Sequence, residues 1–234
     1  MSLLRLSNVT KTFGSGLGEV RPLDNIDLEI APQEVVAVMG PSGSGKTTLL
    51  TIAGALQRPT SGVVEVGGAQ IQGLSQSELG AVRRRKVGFV FQSINLLDAL
   101  TAAENVEYAL QLAGHRGRYK RERARQLLTL VEMGHRLHEL PKRLSGGERQ
   151  RIAIARALAN DGKIILADEP TASLDHKRAM DLLALLRGIT RDLERSVLLV
   201  THDMRAHDAA DRIFWLEDGH LGPMEHGSAH RLPN

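Results

Sequence analysis

The sequence predicts an α/β fold in which a parallel sheet presents functional groups at the ends of its strands. Short apolar runs that suit buried strands lie at residues 35–39, 164–167 and 197–200. The stretch from 176 to about 193, between the last two runs, has helical spacing. Strand, helix and strand in this order are typical of parallel α/β proteins. A Leu-, Ala-, Glu- and Arg-rich block of helical character, residues 93–160, interrupts the strands.

The N-terminal third of the chain adds more strands and one helix. Apolar and polar residues alternate in the first thirty residues, on both sides of a glycine-rich break at residues 14–18. A glycine-rich loop follows the run at 35–39, and Lys46 to about Leu56 is predicted to be helical. Further strands are predicted at residues 4–9, 26–30, 63–66 and 87–91.

Composition excludes several classes of protein. The 234 residues are 42% hydrophobic and 24% charged, close to the average of globular proteins. The net charge of +3 is too small to indicate a nucleic-acid partner, and none is expected. The absence of cysteine excludes disulfides, thiolate metal sites and cysteine nucleophiles. No apolar run is long enough for a transmembrane helix, so we expect any membrane association to require a separate protein.

The most specific motif is a P-loop that follows the run at 35–39. The pattern Gly40-x4-Gly45-Lys46-Thr47 is complete and lies between a predicted strand and a predicted helix. Its glycines let successive backbone N–H groups face an anion, and the helix N-terminus adds a positive dipole end. We expect Lys46 to reach the β- and γ-phosphates and Thr47 to bind Mg²⁺. The predicted ATP-binding residues here are Gly40, Pro41, Ser42, Gly43, Ser44, Gly45, Lys46, Thr47 and Thr48.

Two other predicted strands end in ionisable residues. Asp168 and Glu169 follow one strand, and His202 follows another. Because ligands of open parallel sheets bind at the carboxyl ends of strands, these groups can converge on one γ-phosphate. We expect Asp168 to hold Mg²⁺ through water and Glu169 to act as the general base. A lone histidine at a strand end is usually structural, but the neighbouring strand ends favour a catalytic role for His202.

A second candidate phosphate site lies about a hundred residues after the P-loop. Ser145 is a suitable helix cap, and Glu148 three residues later completes a capping box. Gly146 and Gly147 in the first turn each cost roughly 1 kcal/mol of helix stability against alanine. The close approach of an anion to free backbone N–H groups would compensate for this cost. Since one nucleotide cannot easily reach both sites of one chain, two chains arranged head to tail are favoured.

With these motifs the sequence resembles the ATP-binding cassette (ABC) ATPase family over nearly all of its length. Residues 40–47 match the Walker A motif, residues 144–150 the signature motif, and residues 164–168 with Glu169 the Walker B motif. Gln92 matches the Q-loop glutamine and Asp175 the D-loop aspartate. The resemblance implies a P-loop NTPase (RecA-like) core with an N-terminal antiparallel β subdomain and an inserted helical subdomain.

The resemblance also implies a single ABC ATPase domain over residues 1–234. Its β subdomain and core would cover residues 1–92 and 161–218. The helical subdomain would cover residues 93–160, and residues 219–234 would form a flexible tail.

Roles for individual residues follow from the same resemblance. Two chains would form an ATP-dependent homodimer that closes on two ATP molecules, with Asp175 linking the two sites. Gln92 would reach Mg²⁺ and the attacking water, and His202 would hold the γ-phosphate. Phe13, 27 residues before Gly40, would stack on adenine, although an ordinary core position is the alternative. The residues that would contact the ATP of the partner subunit are Ser145, Gly146, Gly147 and Glu148.

Several segments resemble the branch of LolD- and MacB-like ATPases, to which the cell-division ATPase FtsE is related. The segments are residues 14–18, 84–85, 87–97, 101–106 and 166–170. This resemblance implies an ATPase subunit at the cytoplasmic face of the inner membrane. It would drive a separate permease for export or for a lipoprotein, macrolide or peptide-type substrate. The alternative is an ATP-switched regulatory module of a signalling or cell-division complex that transports nothing.

A basic cluster in the predicted helical block has two interpretations. It could contact anionic lipid headgroups or nucleic acid, or it could be an ordinary solvated helix face. Tyr119 is the only aromatic residue within it, which argues against a platform for base stacking. The solvated face is the simpler interpretation. The cluster consists of Arg116, Arg118, Lys120, Arg121, Arg123 and Arg125.

Overall fold

The computed structural model describes residues 2–160 and 162–224. Within these residues the strands are β1 (Leu4–Phe13), β2 (Val20–Ile30), β3 (Val35–Met39), β4 (Ser61–Val66), β5 (Ala69–Gln70), β6 (Val87–Val90), β7 (Ile164–Asp168), β8 (Ser196–Thr201), β9 (Arg212–Glu217) and β10 (His220–Pro223). The helices are α1 (Lys46–Ala53), α2 (Gln76–Lys86), α3 (Ala102–Leu112), α4 (Gly117–Leu130), α5 (Gly146–Ala157) and α6 (His176–Asp192). Short 3₁₀ turns connect some of these elements.

The strands form two sheets. The first is antiparallel throughout, in the order β2-β1-β4-β5. The second has the order β10-β9-β3-β8-β7-β6, in which the neighbours from β9 to β6 are parallel and β10 is antiparallel to β9. This arrangement confirms the predicted α/β fold class.

Strand β3 shows that the second sheet is covered on both faces. All five of its residues are buried, as expected when neither face of a parallel sheet meets water. Side chains alternate between faces along a strand, so Val36 and Val38 belong to the core shared with the first sheet and α1. Ala37 and Met39 belong to the core shared with α3, α5 and α6. The carboxyl end of β3 therefore opens between two packed layers.

The inserted helical block is anchored to the second sheet through α5. A Cβ atom on Gly88 of β6 would lie only 2.2 Å from the carbonyl oxygen of Ala157, at the end of α5. Only glycine allows this close approach of a strand to a helix. The block also contains α3, which begins with a complete capping box formed by Thr101 and Glu104.

Two parts of the fold differ from the sequence prediction. Helix α2 is not indicated by periodicity, because its buried side consists only of Leu79, Gly80 and Val82. The predicted flexible tail is wrong for its first residues, since β10 pairs with β9 and the Met224 N–H donates to the Ile213 carbonyl at 2.9 Å. Backbone pairing at the sheet edge thus orders residues 220–223, although their glycine and proline disfavour a strand. The rest of the predicted tail, residues 225–234, lies outside the described residues.

The lengths and compositions of the helices bear on whether any of them could cross a bilayer. Across residues 2–160 and 162–224, none is both long enough and apolar enough to span a membrane.

Candidate active site

The P-loop connects the carboxyl end of β3 to the first turn of α1. A Cβ atom on Gly40 would lie 2.1 Å from the Leu216 carbonyl oxygen, and one on Gly45 would lie 2.3 Å from the Pro22 carbonyl oxygen. Gly45 also has a φ of 104°, which side chains disfavour. No side chain caps α1, so the backbone N–H groups of its first turn are available to an anion.

Lys46 lies over the P-loop. Its Nζ donates hydrogen bonds to the carbonyl oxygens of Gly40 at 2.8 Å and Pro41 at 2.7 Å. Burial lowers the pKa of Lys46, while the nearby carboxylates of Glu169 and Asp168 oppose that shift. The ammonium group is therefore placed beside the anion-binding backbone and next to both acids.

Thr47 and Asp168 bring two oxygen ligands together. The Thr47 hydroxyl donates to the Asp168 carboxylate at 3.3–3.4 Å. Burial raises the pKa of Asp168, and the hydrogen bond from Thr47 acts in the opposite direction. A hydroxyl beside a carboxylate is the donor set that hard divalent cations prefer, so the chemistry of these residues fits Mg²⁺.

Glu169 is fixed by groups at the end of the neighbouring strand β8. Its Oε2 accepts a hydrogen bond from the Thr201 hydroxyl at 2.8 Å. Its Oε1 accepts from the His202 backbone N–H at 3.1 Å and lies 2.7 Å from His202 Nδ1. The Glu169 side chain is 11% exposed, whereas that of His202 is 65% exposed. The acid and the histidine that the sequence placed at separate strand ends are thus in direct contact.

Sequence reasoning missed the buried hydroxyl of Thr201 and the network behind it. The Asp203 backbone N–H donates to the Thr201 hydroxyl at 3.0 Å, and the Thr171 hydroxyl donates to the Asp203 carboxylate at 2.6 Å. Burial raises the pKa of Asp203, but hydrogen bonds from Arg205 and Thr171 outweigh it and hold the pKa below its ordinary value. The loop after β8 is therefore tied to the loop after β7 by charge-assisted bonds.

A cavity of 540 Å³ is lined both by several of these groups and by an aromatic residue, Phe13. Phe13 is 43% exposed, so it is not a core aromatic, and Lys11 Nζ lies 4.9 Å from the centre of its ring. Of the predicted residues of this chain's own site, Gly40, Pro41, Ser44 and Asp168 lie outside the lining. The residues that line the cavity are Phe13, Val20, Pro22, Ser42, Gly43, Gly45, Lys46, Thr47, Thr48, Gln92, Glu169 and His202.

The second glycine-rich helix start lies in a different place. Ser145 and Glu148 form the predicted capping box, with the Ser145 N–H donating to Glu148 at 2.8 Å and the Glu148 N–H donating to the Ser145 hydroxyl at 3.3 Å. The bond from the Ser145 backbone lowers the pKa of Glu148. A Cβ atom on Gly146 would meet nothing within 4 Å. One on Gly147 would be in ordinary contact with Arg178, at 3.5 Å.

The surroundings of this helix start share no residue with the 540 Å³ cavity. Ser145, Gly147 and Glu148 line a separate cavity of 110 Å³ with Leu174 and Arg178. Asp175 caps α6 beside it, because its carboxylate accepts from the Arg178 N–H at 3.0 Å. This bond lowers the pKa of Asp175. The structure therefore brings one group of predicted residues together around the P-loop and leaves the other group apart.

Comparison with known proteins identifies close relatives. A family model described as "ABC transporter" matches residues 23–172. The macrolide export ATP-binding/permease protein MacB of Azoarcus sp. is 44% identical over 94% of this chain. The chain spans only 33% of that relative's length. An ABC transporter ATP-binding protein of Thermotoga maritima is 44% identical over 95% of both chains.

Solved structures show the same architecture. Two dimeric structures of an ATP-binding cassette match with a TM-score of 0.86 and 41% sequence identity. Each match covers 95% of this chain and 99% of the solved chain. One of the two is a post-hydrolysis state bound to ADP and Pi.

Proposed function

The chain belongs to the ABC transporter family of ATPases, and we propose that two copies form a head-to-tail homodimer that hydrolyses ATP and drives a separate membrane permease. The observation that carries the proposal is the separation of the two phosphate sites. The P-loop cavity and the surroundings of Ser145 have no lining residue in common. A second copy, turned head to tail, would supply the missing Ser145 side of each nucleotide site.

In this proposal the P-loop holds the phosphates of ATP. The backbone N–H groups of residues 40–48 bind the phosphate oxygens, and Lys46 leaves its carbonyl partners to reach the β- and γ-phosphates. Thr47, Asp168 (through water) and Gln92 would hold Mg²⁺. When bound, that ion neutralises charge that builds on the phosphates. Phe13, which lines the same cavity, stacks on the adenine ring.

Glu169 is the proposed general base. It lines the same cavity as Lys46 and Gln92, and both of its carboxylate oxygens have hydrogen-bond partners that orient the group. A carboxylate held in this way can accept a proton from a water molecule between it and the γ-phosphate. His202, which is largely exposed at the cavity wall, would contact the γ-phosphate.

The partner subunit would complete the site with the first turn of α5. Ser145, Gly146, Gly147 and Glu148 of that turn would face the γ-phosphate across the interface. Asp175, at the neighbouring start of α6, would connect the two sites of the dimer.

The test of the catalytic assignment is Glu169→Gln. We expect ATP binding to persist and hydrolysis to fall by about 10²–10⁴-fold, the usual cost of losing a general base. The variant should also accumulate as a dimer in the presence of ATP, measured by size-exclusion chromatography with light scattering. Hydrolysis at the wild-type rate would remove Glu169 from this role.

The proposed permease site is an apolar groove between the second sheet and the helical block. The groove has a volume of 390 Å³, and Phe89 and Phe91 stack within it with ring centres 5.3 Å apart. Leu112 at its edge is 52% exposed. Phe91 directly precedes Gln92, so an occupant of the groove would act on a residue of the ATP cavity. We propose a cytoplasmic segment of the permease as the occupant, because the MacB relatives combine ATP-binding and permease functions in one protein.

This interface can be tested by affinity capture from detergent-solubilised membranes of the source organism. We expect the chain to capture a polytopic membrane protein, and Leu112→Asp to abolish that capture. Leu130→Asp is the matched control, since Leu130 is also an exposed apolar residue of the helical block but does not line the groove. Equal capture by both variants would contradict docking in the groove.

The exporter and the regulatory alternative differ only in what the permease does. We propose the cytoplasmic face of the inner membrane as the location in both cases. ATP-dependent movement of a macrolide, lipoprotein or peptide-type substrate by the reconstituted complex would support export. A complex that hydrolyses ATP but moves no substrate would favour the regulatory module.

A further inference from the structure

Outside the ATP cavity, part of the basic cluster of residues 116–125 lines a cavity of its own. A cavity of 600 Å³ opens where α2 meets the turn between α3 and α4. We call it the basic cavity, and its lining residues are Arg84, Gln111, Leu112, His115, Arg116, Gly117 and Lys120. None of these residues is acidic, and Arg84 is distant in sequence from the others. The fold therefore brings Arg84 beside Arg116 and Lys120, although no sequence motif contains all three residues.

The charge of the basic cavity is poorly neutralised by the protein. Arg84 and Arg116 are exposed, and the described residues offer neither of them a side-chain hydrogen bond or an ion pair. Lys120 is the exception, with Glu107 at 3.4 Å and Gln111 at 3.3 Å. Residues 116–125 carry a net charge of +5, whereas the whole chain carries +3. The excess positive charge of the protein is thus concentrated around this cavity and the rest of α4.

The basic cavity is continuous with the groove proposed for the permease. Arg84 and Leu112 line both of them. Beside the cavity, Tyr119 is 58% exposed, and its ring lies 5.0 Å from the ring of His115. An exposed tyrosine and leucine next to unpaired arginines form a surface that is both apolar and cationic, which suits the interface of a bilayer.

We propose that the basic cavity binds the phosphate headgroups of anionic lipids in the bilayer around the permease. The location of the cavity at a membrane rests on the proposed function. Arg84 and Arg116 can each donate paired hydrogen bonds to a phosphate, and Lys120 adds a point charge. Nucleic acid is the less favoured ligand, because Tyr119 is the only aromatic side chain of residues 116–125 and it lies against His115.

The experiment measures flotation of the purified full chain with lipid vesicles, without ATP or permease. The vesicles contain either phosphatidylcholine alone or phosphatidylcholine with about one-third phosphatidylglycerol. The variant Arg84→Gln/Arg116→Gln removes two unpaired charges from the cavity. The matched control, Arg118→Gln/Arg121→Gln, makes the same change of charge on α4 at residues that do not line the cavity. Thermal unfolding of both variants checks that they are folded.

We expect the wild-type chain to bind only the anionic vesicles, and the cavity variant to lose on the order of tenfold in partitioning. The control should lose much less. Binding by the wild type should also weaken strongly at about 1 M salt, where charges are screened over ~3 Å. Equal losses in the two variants, or no binding by the wild type, would overturn the proposal. So would binding of short RNA or DNA that depends on Arg84 and Arg116 while vesicles are ignored.

Failure of this proposal can be told apart from failure of the proposed function. The vesicle assay needs neither ATP nor the permease, whereas Glu169→Gln and the Leu112→Asp capture experiment need no lipid binding by the cavity. A negative result in the vesicle assay therefore leaves the tests of the proposed function unaffected, and the reverse also holds.

Discussion

The P-loop and the first turn of α5 are both helix starts built from glycine, yet their glycines meet different surroundings. A Cβ atom on Gly40 would collide with the Leu216 carbonyl oxygen at 2.1 Å. A Cβ atom on Gly146 would meet nothing within 4 Å. The P-loop has no capping side chain, whereas the turn of α5 is capped by Ser145.

This difference shows that glycine is needed for different reasons in the P-loop and in α5. In the P-loop the chain itself requires it, because other backbone segments pass too close for a side chain. In α5 the fold of one chain tolerates a side chain, and glycine even weakens the helix. A requirement for Gly146 must therefore come from something outside the chain, which agrees with the proposed contact to the nucleotide of a second copy.

The largest expected effect is that of Gly40→Ala. The added methyl group has to displace the backbone at Leu216, so we expect a loss of about 3 kcal/mol or more in the free energy of unfolding. Urea denaturation measures this, with Gly146→Ala as the control substitution. If Gly40→Ala lowered the free energy of unfolding by less than about 1 kcal/mol, the fold itself would not require glycine in the P-loop.

Ser145→Arg should separate binding from hydrolysis. The bulky cation blocks the proposed interface, so we expect ATPase activity to fall by about 100-fold, the lower end of the cost of losing one hydrogen-bond donor to a transition state. ATP affinity of the monomer, measured with a fluorescent nucleotide, should not change. Loss of that affinity would mean that Ser145 serves the nucleotide site of its own chain.

Gly146→Ala has the smallest expected effect and is the sharpest test of the comparison. Alanine favours the helix, so the free energy of unfolding should rise by about 0.5–1 kcal/mol. ATPase activity should nevertheless fall by about tenfold, because the methyl group occupies the approach to the partner's phosphate. Denaturation and a steady-state ATPase assay give the two numbers. A variant that is more stable and fully active would contradict an external requirement for this glycine.

The features predicted correctly from sequence are those encoded by adjacent residues. The strand before Gly40, the helix from Lys46 and the capping box of Ser145 and Glu148 are all local patterns. The same logic could have found α2, since Ser75 and Glu78 form an equivalent capping box. Its weak apolar face concealed it, because hydrophobic periodicity is the main signal for a helix.

The features that sequence reasoning missed depend on the order of strands in the sheet. The Thr201 hydroxyl reaches Glu169 because β7 and β8 are neighbours with Asp168 opposite Val200. A local sequence pattern does not indicate which strands are neighbours in the sheet. The same holds for the basic cavity, where Arg84 joins residues from a different pair of helices.

Helix α5 joins the sheet at its carboxyl end and the helical block near its amino end, where Arg136 Nε lies 3.3 Å from Glu148 Oε1. Its carboxyl end is fixed by the contact of Ala157 with Gly88 and by Arg156, which donates to the carbonyl oxygens of Ile94, at 2.8 Å, and Asn95. Those two carbonyls follow Gln92 closely in the chain. With twelve residues the helix is about 18 Å long, so a tilt of about 10° would swing its opposite end by about 3 Å, roughly one hydrogen-bond length. A slight shift at the carboxyl end of α5 would therefore move Ser145 and the helical block attached to it by enough to make or break a contact with a partner subunit.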